Sequence, residues 1–533
     1  MTSYDPERLV WSGPRVAPLF DPGRSLGDIL FELLDRNPDQ VLQIDGDTDR
    51  RITRGELKLR AIRIAQHLTI GGQVNDIVTI AALNSGSLAS LVVALQFLAV
   101  PYNAVFPNFT HGEMVGIMAQ TQSRVIFCDA WNYEAVRNAA REAVQGEFKI
   151  FLVDGEVDGV ATVDDLLVET GTEQDFSPKI VADTSKAIYS IFCSSGTTGP
   201  PKGICLSHAN KTSSFLPAPY NNPTVLAMGS IHWLSTAYML DLVMFYDGTV
   251  VTTKQPFSED LFFDLIERYR IDLLNGPPIQ AYAITHHPRV KQVDLSNVKL
   301  WSIGGYNVSD AIRDSVDAIL PNGKSYTIYA STESGLIAAD MAKRKRGAIG
   351  TLFPNVQVRI VDDDGQFLPV GQPGELWIKR YVAFPGYLNN EQATREVQDD
   401  EGWFRSGDVG YFDEEGYLFL VDRKSEIFKY VTQVSPTELE DIIAELDGVA
   451  EVCVVGIPTL DQSAELPTAV VVRREGSALR GEEVVKFVEG RVMDHKRLRG
   501  GVFFVESLAK TSKGSLKRKE VRRLIMEELN VKV

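Results

Sequence analysis

The first 200 residues alternate between segments of helical periodicity and short apolar runs. Apolar positions recur at helical spacing in 54–70 and 85–100, and these two segments predict helices. Short runs rich in β-branched and aromatic residues predict strands at four places, 76–83, 124–128, 148–153 and 187–193. Because alternating helices and strands build layers with largely parallel sheets, this region is predicted to have an α/β fold.

The pattern changes twice in the rest of the chain. Residues 350–379 contain short strands separated by turn sequences, which predicts a small β-barrel-like unit. After Asp422 a helix and strand pattern begins again, with helices expected at 435–446 and 481–493 and strands at 450–456, 469–472 and 501–505. We therefore predict an N-terminal domain over 1–421, a hinge at 422–425 and a smaller C-terminal α/β domain over 426–533.

Length and charge limit the class of protein. A chain of 533 residues exceeds the roughly 250–300 residues that one hydrophobic core supports, so two or more domains are expected. Hydrophobic residues at 44% and charged residues at 23% are typical of globular proteins. The 71 acidic residues outnumber the 54 Lys and Arg residues and give a net charge of −17. This acidic balance argues against a nucleic-acid partner, because such surfaces need clustered basic side chains.

Cysteine spacing and terminal sequences bear on location. Cys128, Cys193, Cys205 and Cys453 lack the spacing of metal ligands, so reduced, buried thiols are expected. The N-terminus lacks the apolar run of a secretory signal, and the longest apolar run, 88–100, is shorter than the ~20 residues that span a bilayer. The last residues do not form the S-K-L peroxisomal signal. We expect a cytoplasmic protein without a transmembrane segment, and a monomer.

A polar loop after the strand at 187–193 carries the strongest candidate chemistry. It precedes a helix expected from Ser207, and its candidate phosphate-binding residues are Ser194, Ser195, Gly196, Thr197, Thr198, Gly199 and Lys202. Glycines allow close backbone approach, hydroxyls donate to phosphate oxygens, and the lysine supplies charge. The loop matches neither the Walker pattern nor a dinucleotide fingerprint. By composition alone a linker is the alternative, whereas the order of the residues favours ATP binding.

The segment Ser194-Ser195-Gly196-Thr197-Thr198-Gly199-Pro200-Pro201-Lys202-Gly203 resembles the phosphate-loop signature of the adenylate-forming (AMP-binding) superfamily. This superfamily includes acyl-CoA synthetases, coumarate-CoA ligases and beetle luciferases. Four further segments resemble family motifs in the family's order: 301–306, 329–333, 402–408 and 422–423. The resemblance covers almost the whole chain and implies a large N-terminal domain of layered α/β sheets followed by a smaller mobile C-terminal α/β domain.

The resemblance also implies a role for individual residues. Gly304, Gly305 and Tyr306 would form a turn against adenine, and Tyr329 would stack on it. Thr332 would donate to the α-phosphate, while Thr198 and Glu333 would ligate Mg²⁺. Asp408 would bind the ribose hydroxyls together with Arg423. Taken singly, these residues are equally typical of structural turns, a core tyrosine or a helix cap.

An acyl pocket is implied for the carboxylic acid substrate. By analogy with relatives that activate aryl and fatty acids, its lining would comprise His232, Trp233, Leu234, Thr236, Tyr238, Gly304 and Ile337. A histidine beside a tryptophan is also typical of a buried core position, and that alternative stays open.

The first departure from the family pattern concerns a catalytic lysine. The family pattern P-K-T-x-x-G-K-I-x-R aligns with 509–518, and Ser515 stands where the second lysine is expected. A serine cannot neutralise the charge that develops as pyrophosphate leaves, and losing such a donor typically costs about 3 kcal/mol. Lys513 and Lys517 are the nearby candidates to replace it.

The second departure follows the predicted hinge. The segment from Lys429 to Glu440 is one residue shorter than its counterpart in relatives and lacks their glycine. The resemblance implies that this loop reaches the active site when the C-terminal domain rotates for thioester formation. The shortened loop therefore bears on the coenzyme A step.

Three hypotheses follow from the sequence. The first is an acid-CoA ligase that uses ATP, Mg²⁺ and coenzyme A, with Lys202, Thr332, Glu333, Lys429 and the Ser515 position in catalysis. The second is a catalytically weakened paralogue that binds adenylate or an acyl group. The third is a luciferase-like monooxygenase, which no feature of the sequence separates from a ligase.

Overall fold

The computed structural model describes residues 2–70, 76–193, 202–217, 222–305, 308–430, 432–459, 464–511 and 516–529. The strands are, in chain order, β1 (Ser3–Asp5), β2 (Val10–Ser12), β3 (Val41–Asp45), β4 (Arg51–Thr53), β5 (Val78–Ala81), β6 (Tyr102–Ala104), β7 (Val125–Cys128), β8 (Lys149–Leu152), β9 (Ile188–Cys193), β10 (Gly203–Ser207), β11 (Thr224–Ala227), β12 (Thr249–Thr252), β13 (Leu273–Gly276), β14 (Leu300–Gly304), β15 (Lys324–Ser331), β16 (Gly335–Ala339), β17 (Thr351–Leu352), β18 (Val356–Val361), β19 (Gly374–Arg380), β20 (Phe404–Phe412), β21 (Leu418–Arg423), β22 (Phe428–Tyr430), β23 (Thr432–Val434), β24 (Val449–Pro458), β25 (Glu465–Arg473) and β26 (Gly501–Val505).

The α-helices follow the same chain order. They are α1 (Leu26–Leu33), α2 (Arg54–Ile70), α3 (Gly86–Phe97), α4 (His111–Thr121), α5 (Tyr133–Ala143), α6 (His208–Thr212), α7 (Leu234–Phe245), α8 (Glu259–Tyr269), α9 (Pro278–His286), α10 (Asp310–Ile319), α11 (Glu391–Val397), α12 (Pro436–Ala444), α13 (Gly481–Glu489) and α14 (Arg518–Glu528).

The chain divides into two compact units. The first unit comprises 1–3, 12–357 and 378–404, and the second comprises 4–11, 358–377 and 405–533. This grouping rests on which parts of the backbone pack together, so short segments from distant parts of the sequence join the second unit. The predicted boundary at 422–425 stays a prediction.

The first unit contains two large sheets. One has the strand order β10-β9-β6-β5-β7-β8, and the other has the order β17-β16-β15-β14-β13-β11-β12-β3-β4. Most neighbouring strands in both are parallel, as between β14 and β15. Parallel strands covered on both faces require apolar residues at every position, and all four residues of β5 are buried accordingly. The buried helix α3 packs into the same hydrophobic core.

The second unit contains the remaining sheets. Strands β1, β2, β18, β19, β20 and β21 form a six-stranded sheet in that order, and β24, β25 and β26 form a three-stranded sheet. In the three-stranded sheet, β24 is antiparallel to β25, which is parallel to β26. Helices α12, α13 and α14 contribute Leu439, Val484 and Val521 to the apolar clusters beside this sheet.

The predicted fold class is confirmed, and one strand was missed from the sequence. Helix α2 and strand β26 have the predicted bounds, and the sheets and helices match the expected layers. The helix expected from Ser207 onward is present as α6, but the sequence did not predict the strand between the loop and this helix. Strand β10 intervenes and pairs antiparallel with β9, and Ser207 then caps α6 by accepting from the Asn210 N–H at 3.2 Å.

Two further predictions can be compared with the structure. All four cysteines are buried and free, as expected from their spacing. Within the part of the chain that the structure describes, no helix is both long enough and apolar enough to span a membrane.

Candidate active site

Lys202, Tyr387 and Glu333 form a connected group in the first unit. The Lys202 Nζ lies 5.1 Å from the centre of the Tyr387 ring, a cation–π arrangement. The Tyr387 hydroxyl donates to Glu333 Oε1 at 3.1 Å. The backbone fixes the partners, because the Leu388 N–H donates to the Gly203 carbonyl at 2.7 Å. A cation and an oriented carboxylate are thereby brought close to one another, as phosphate and Mg²⁺ binding requires.

The carboxyl ends of two parallel strands position the predicted adenine residues. Gly304 ends β14 and lies opposite Ile328 of β15. A side chain at Gly304 would meet the Ile328 carbonyl oxygen at 2.9 Å, so this close approach requires glycine. Gly305 follows with φ of +100°, a conformation that favours glycine. Tyr329 on β15 is buried. Gly304 and Gly305 therefore lie at the carboxyl end of β14 beside the strand of Tyr329, and the turn against adenine stays a prediction.

Thr332 and Glu333 lie in the tight connection from β15 to β16. The Ser334 N–H donates to Ser331 Oγ at 3.0 Å, and Ser331 pairs with Gly335 across the two strands. Both features hold the connection in one conformation. The Thr332 and Glu333 side chains are partly exposed, so they remain accessible to a ligand.

Asp408 and Arg423 form an ion pair in the second unit. They lie directly opposite one another on the antiparallel strands β20 and β21, and Arg423 Nε is 2.8 Å from Asp408 Oδ1. The Arg423 guanidinium also donates to the Ser406 carbonyl at 3.1 Å. Gly407 has a φ of +71°, which turns the strand at this point. The Asp408 side chain is only 12% exposed, so its carboxylate is held in a fixed orientation.

The predicted acyl residues come from three elements of the first unit, the α7 segment, β16 and the end of β14 at Gly304. His232 and Trp233 precede α7, while Leu234, Thr236 and Tyr238 lie in its first turns. His232 is buried with its ring 4.4 Å from that of Phe106, and its Nδ1 shares a short hydrogen bond with Ser230 Oγ. Ile337 lies on β16 and is fully buried. The structure places five of these residues on one short segment and leaves their role in acid binding a prediction.

Lys429 and the family's C-terminal motif lie in hairpins of the second unit. Lys429 on β22 faces Gln433 on β23 and is exposed. Lys510 pairs with Leu516, and the Lys517 N–H donates to the Ala509 carbonyl at 2.8 Å. These contacts bring Ala509 and Lys510 next to Leu516 and Lys517.

Several predicted residues lie outside the described residues. They are Ser194, Ser195, Gly196, Thr197, Thr198, Gly199, Tyr306 and Ser515. Their roles stay predictions.

Tyr387 was missed from the sequence. It lies in Pro385-Gly386-Tyr387, and no spacing rule connects this segment to Glu333. The only sequence signal was the glycine before it, which has a φ of +115° and marks a sharp change of direction.

Comparison with protein families decides the classification. The family model "AMP-binding enzyme" matches residues 30–388, and the model "AMP-binding enzyme C-terminal domain" matches 438–515. The chain belongs to the AMP-binding enzyme family. The resemblance drawn from the five motifs is therefore confirmed.

Individual relatives agree with this family assignment. 4-Coumarate–CoA ligase 2 of Solanum tuberosum is 31% identical over 512 residues, which cover 92% of each chain. 4-Coumarate–CoA ligase 1 of Petroselinum crispum is 30% identical with the same coverage. The crystal structure of ATP-bound MatB from Rhodopseudomonas palustris superposes with a TM-score of 0.83 at 23% identity, covering 94% of this chain and 99% of that one. This last similarity concerns the fold.

Proposed function

We propose that this AMP-binding enzyme is an acid-CoA ligase that activates a carboxylic acid with ATP and transfers the acyl group to coenzyme A. The observation that carries the proposal is the similarity to 4-coumarate–CoA ligases over 92% of both chains. The oriented Glu333, Lys202 and Asp408 side chains support it, since each supplies a group that an adenylating enzyme needs.

The nucleotide is proposed to bind through both acidic and basic side chains. Asp408 accepts hydrogen bonds from the ribose hydroxyls, and the Arg423 guanidinium, 2.8 Å away, orients its carboxylate. Lys202, Thr332 and the loop residues Ser194 to Gly199 donate to the phosphates. Gly304, Gly305, Tyr306 and Tyr329 form the adenine-binding surface.

The chain's residues fit Mg²⁺ as a partner of the bound phosphates. Among the described residues no three His, Cys, Asp or Glu side chains cluster as a complete metal cage. Mg²⁺ commonly takes one or two protein oxygens together with phosphate and water oxygens, and the Glu333 carboxylate and Thr198 hydroxyl would supply these. The ion would neutralise phosphate charge when bound.

The proposed chemistry has two steps. In the first, a carboxylate oxygen of the acid forms a bond to the α-phosphorus of ATP while the bond to pyrophosphate breaks, giving acyl-AMP and pyrophosphate. In the second, the coenzyme A thiol loses its proton, its sulfur bonds to the acyl carbon, and AMP leaves. Thr332 is proposed to hold the α-phosphate in the first step, and Lys429 is the candidate from the C-terminal region for the second.

A screen of carboxylic acids tests this proposal. Purified protein is incubated with ATP, Mg²⁺ and coenzyme A plus fatty, aromatic or dicarboxylic acids, and AMP release is measured. We expect acid-dependent AMP release that is lost in Asp408→Ala. ATP binding without acid-dependent AMP or pyrophosphate release from any acid would contradict the ligase proposal.

The second candidate function is an adenylate- or acyl-binding paralogue with weakened catalysis. The observation that favours it is Ser515 at the position where the family pattern has lysine. A replacement from Lys517 is hindered because its ammonium already lies 3.5 Å from Glu520 Oε2. Lys513, the other candidate, lies outside the described residues, and its role stays a prediction.

Ser515→Lys separates the two candidates. If the missing charge limits adenylation, the variant should raise acid-dependent ATP–pyrophosphate exchange at least about tenfold, in line with the cost of losing one charge donor. Ser477→Lys adds the same charge elsewhere in the second unit and serves as the control. Equal exchange in wild type and Ser515→Lys would contradict a deficit at this position.

The coenzyme A step is tested independently with a presynthesised acyl-adenylate. Thioester formation on adding coenzyme A would contradict the binding-protein candidate and would show that the shortened Lys429 loop still functions. A cytoplasmic location and a monomeric state stay predictions.

A further inference from the structure

Arg380 places a positive charge beside the predicted acyl residues. It is the last residue of β19, and its Nη1 donates to the Leu336 carbonyl at 2.5 Å. Its Nη2 lies 4.0 Å from the position that a Cβ atom would occupy at Gly335. Tyr238 on α7 interacts electrostatically with the guanidinium, which by itself raises the pKa of Arg380. Arg380 therefore contacts the start of β16 and faces α7.

The Arg380 charge has no acidic partner within the chain as described. Among the described residues no carboxylate oxygen lies within 4.0 Å of this guanidinium. Arg380 is half-buried, and three arginines whose side chains are at most 13% exposed show the contrast, since Arg313 pairs with Asp340, Arg54 with Asp247 and Arg518 with Glu440. A charge held in protein surroundings without an opposite charge is costly, so its retention indicates that it binds a ligand anion.

The guanidinium stays charged at neutral pH despite its surroundings. Burial lowers the pKa of Arg380 to about 10, and the nearby Tyr238 hydroxyl opposes that change. The side chain therefore offers N–H donors and a full positive charge. A planar guanidinium matches the two oxygens of a carboxylate.

The β15–β16 hairpin brings Arg380 and Thr332 to the same turn. Leu336, which accepts from Arg380, lies opposite Ala330 on β15, and Ser331 pairs with Gly335, the residue next to Arg380 Nη2. Thr332, the proposed α-phosphate ligand, lies in the turn that directly follows Ser331. A short acid whose reacting carboxylate lies at Thr332 can therefore bring its other end to Arg380.

We propose that Arg380 binds a second carboxylate of the substrate, so that the protein activates short dicarboxylic acids. This inference rests on the proposed ligase function and specifies its substrate class. One carboxylate reacts at the α-phosphorus, and the other pairs with Arg380 beside Tyr238 and Leu336. Arg380 is a specificity-determining residue in this arrangement, and it takes no part in bond formation.

Matched acids and matched variants test the proposal. ATP–pyrophosphate exchange is measured with dicarboxylic acids from malonic to adipic acid and with monocarboxylic acids of the same carbon number. Wild type should favour its best dicarboxylic acid over the matched monocarboxylic acid at least about tenfold in kcat/KM. The reason is that the monocarboxylic acid leaves the Arg380 guanidinium without an anionic partner. Arg380→Met should remove that preference, and Arg380→Lys should retain part of it.

Arg395→Met is the control, because Arg395 is 81% exposed and pairs only with Glu391 on its own helix. It should leave the preference unchanged. The proposal would be overturned if wild type preferred monocarboxylic acids. It would also be overturned if Arg380→Met lowered kcat/KM equally for both kinds of acid. Thermal melting and ATP affinity of the variants establish that they fold.

Equilibrium binding separates this inference from the ligase proposal. If no acid supports exchange, the ligase proposal fails, and calorimetry with a non-hydrolysable ATP analogue still tests Arg380. Binding of a dicarboxylic acid by wild type that is lost in Arg380→Met would support the anion site. Failure of every dicarboxylic acid to bind wild type would overturn it.

Discussion

At the residue scale, Tyr387 links two groups that the proposed chemistry needs. Its hydroxyl orients the Glu333 carboxylate and its ring lies beside the Lys202 ammonium. A metal-binding carboxylate that is already held by a hydrogen bond loses less conformational freedom when the metal binds. A residue that donates this hydrogen bond therefore increases the metal affinity. Tyr387 is a positioning residue in this sense.

Tyr387→Phe should weaken the Mg²⁺ dependence of adenylation. Removing the hydroxyl frees the Glu333 carboxylate, and the loss of an outer partner typically costs about 10- to 100-fold in metal affinity or activity. The Mg²⁺ concentration for half-maximal pyrophosphate exchange should rise, whereas ATP affinity without metal should not change. Tyr381→Phe is the control, because Tyr381 is 63% exposed on the same segment. An unchanged Mg²⁺ requirement would contradict this role.

The sequence predicted only part of this candidate site. Lys202, Glu333 and Asp408 were found because each belongs to a short motif in which neighbouring residues define one ligand contact. Tyr387 and Arg380 were missed because their partners lie 54 and 44 residues away. Only the folded backbone brings such distant positions together, and a single sequence does not record it.

At the element scale, predictions succeeded where a segment's own pattern decides its structure. Helix α2 has its predicted bounds because its helical apolar spacing starts directly after a strand, at Arg54. Strand β10 was missed because the polar loop before it gave no hairpin signal, although all five of its residues are buried. Its pairing with β9 depends on tertiary contacts that the local pattern does not show.

Arg518 holds α14 to α12 in the second unit. Its guanidinium pairs with Glu440 through both nitrogens of the fork, and its Nε lies 3.0 Å from Glu426 Oε2. It also donates to the Val454 carbonyl at 2.8 Å. The Arg518 and Glu440 side chains are each only 13% exposed. Lys517, whose N–H donates to the Ala509 carbonyl, directly precedes this anchor.

Arg518→Gln should destabilise the second unit by about 3–5 kcal/mol, because it leaves the Glu440 carboxylate buried without an opposite charge, with only the Val454 N–H donating to it at 2.6 Å. Hydrogen exchange of β24 and α14 amides measures the loss. Adding Glu440→Gln should restore part of it. Arg523→Gln removes an exposed pair with Glu527 on the same helix and should change stability by less than about 0.5 kcal/mol. Equal losses of stability in Arg518→Gln and Arg523→Gln would contradict the distinction between the buried and the exposed ion pair.

At the scale of the whole molecule, two buried titratable groups in the first unit change the folding stability in opposite directions as the pH falls. His208 is fully buried, and its Nδ1 accepts from the Leu26 N–H at 3.2 Å, so burial lowers its pKa to about 4. Asp129 is 2% exposed, and burial raises its pKa to about 6, although the Leu83 N–H donates to it at 2.8 Å. The net effect of pH depends on which contribution is larger.

The signs follow from the direction of each shift. As pH falls from about 6.5 to about 4, the unfolded chain protonates His208 before the folded chain does, so folding stability decreases by about 3 kcal/mol. As pH falls from about 6 to about 4, the folded chain protonates Asp129 first, so stability increases by a similar amount. The two contributions largely cancel in wild type.

Asp129→Asn should therefore make the protein more sensitive to acid. The amide resembles the protonated carboxyl and does not titrate, so the increase in stability is lost while the His208 decrease remains. Urea unfolding at about pH 7 and about pH 4 should show an extra loss of about 3 kcal/mol between the two conditions in the variant. Asp158→Asn alters an exposed carboxylate of the same unit and should behave as wild type. Parallel pH dependence in Asp129→Asn and wild type would show that Asp129 does not offset His208.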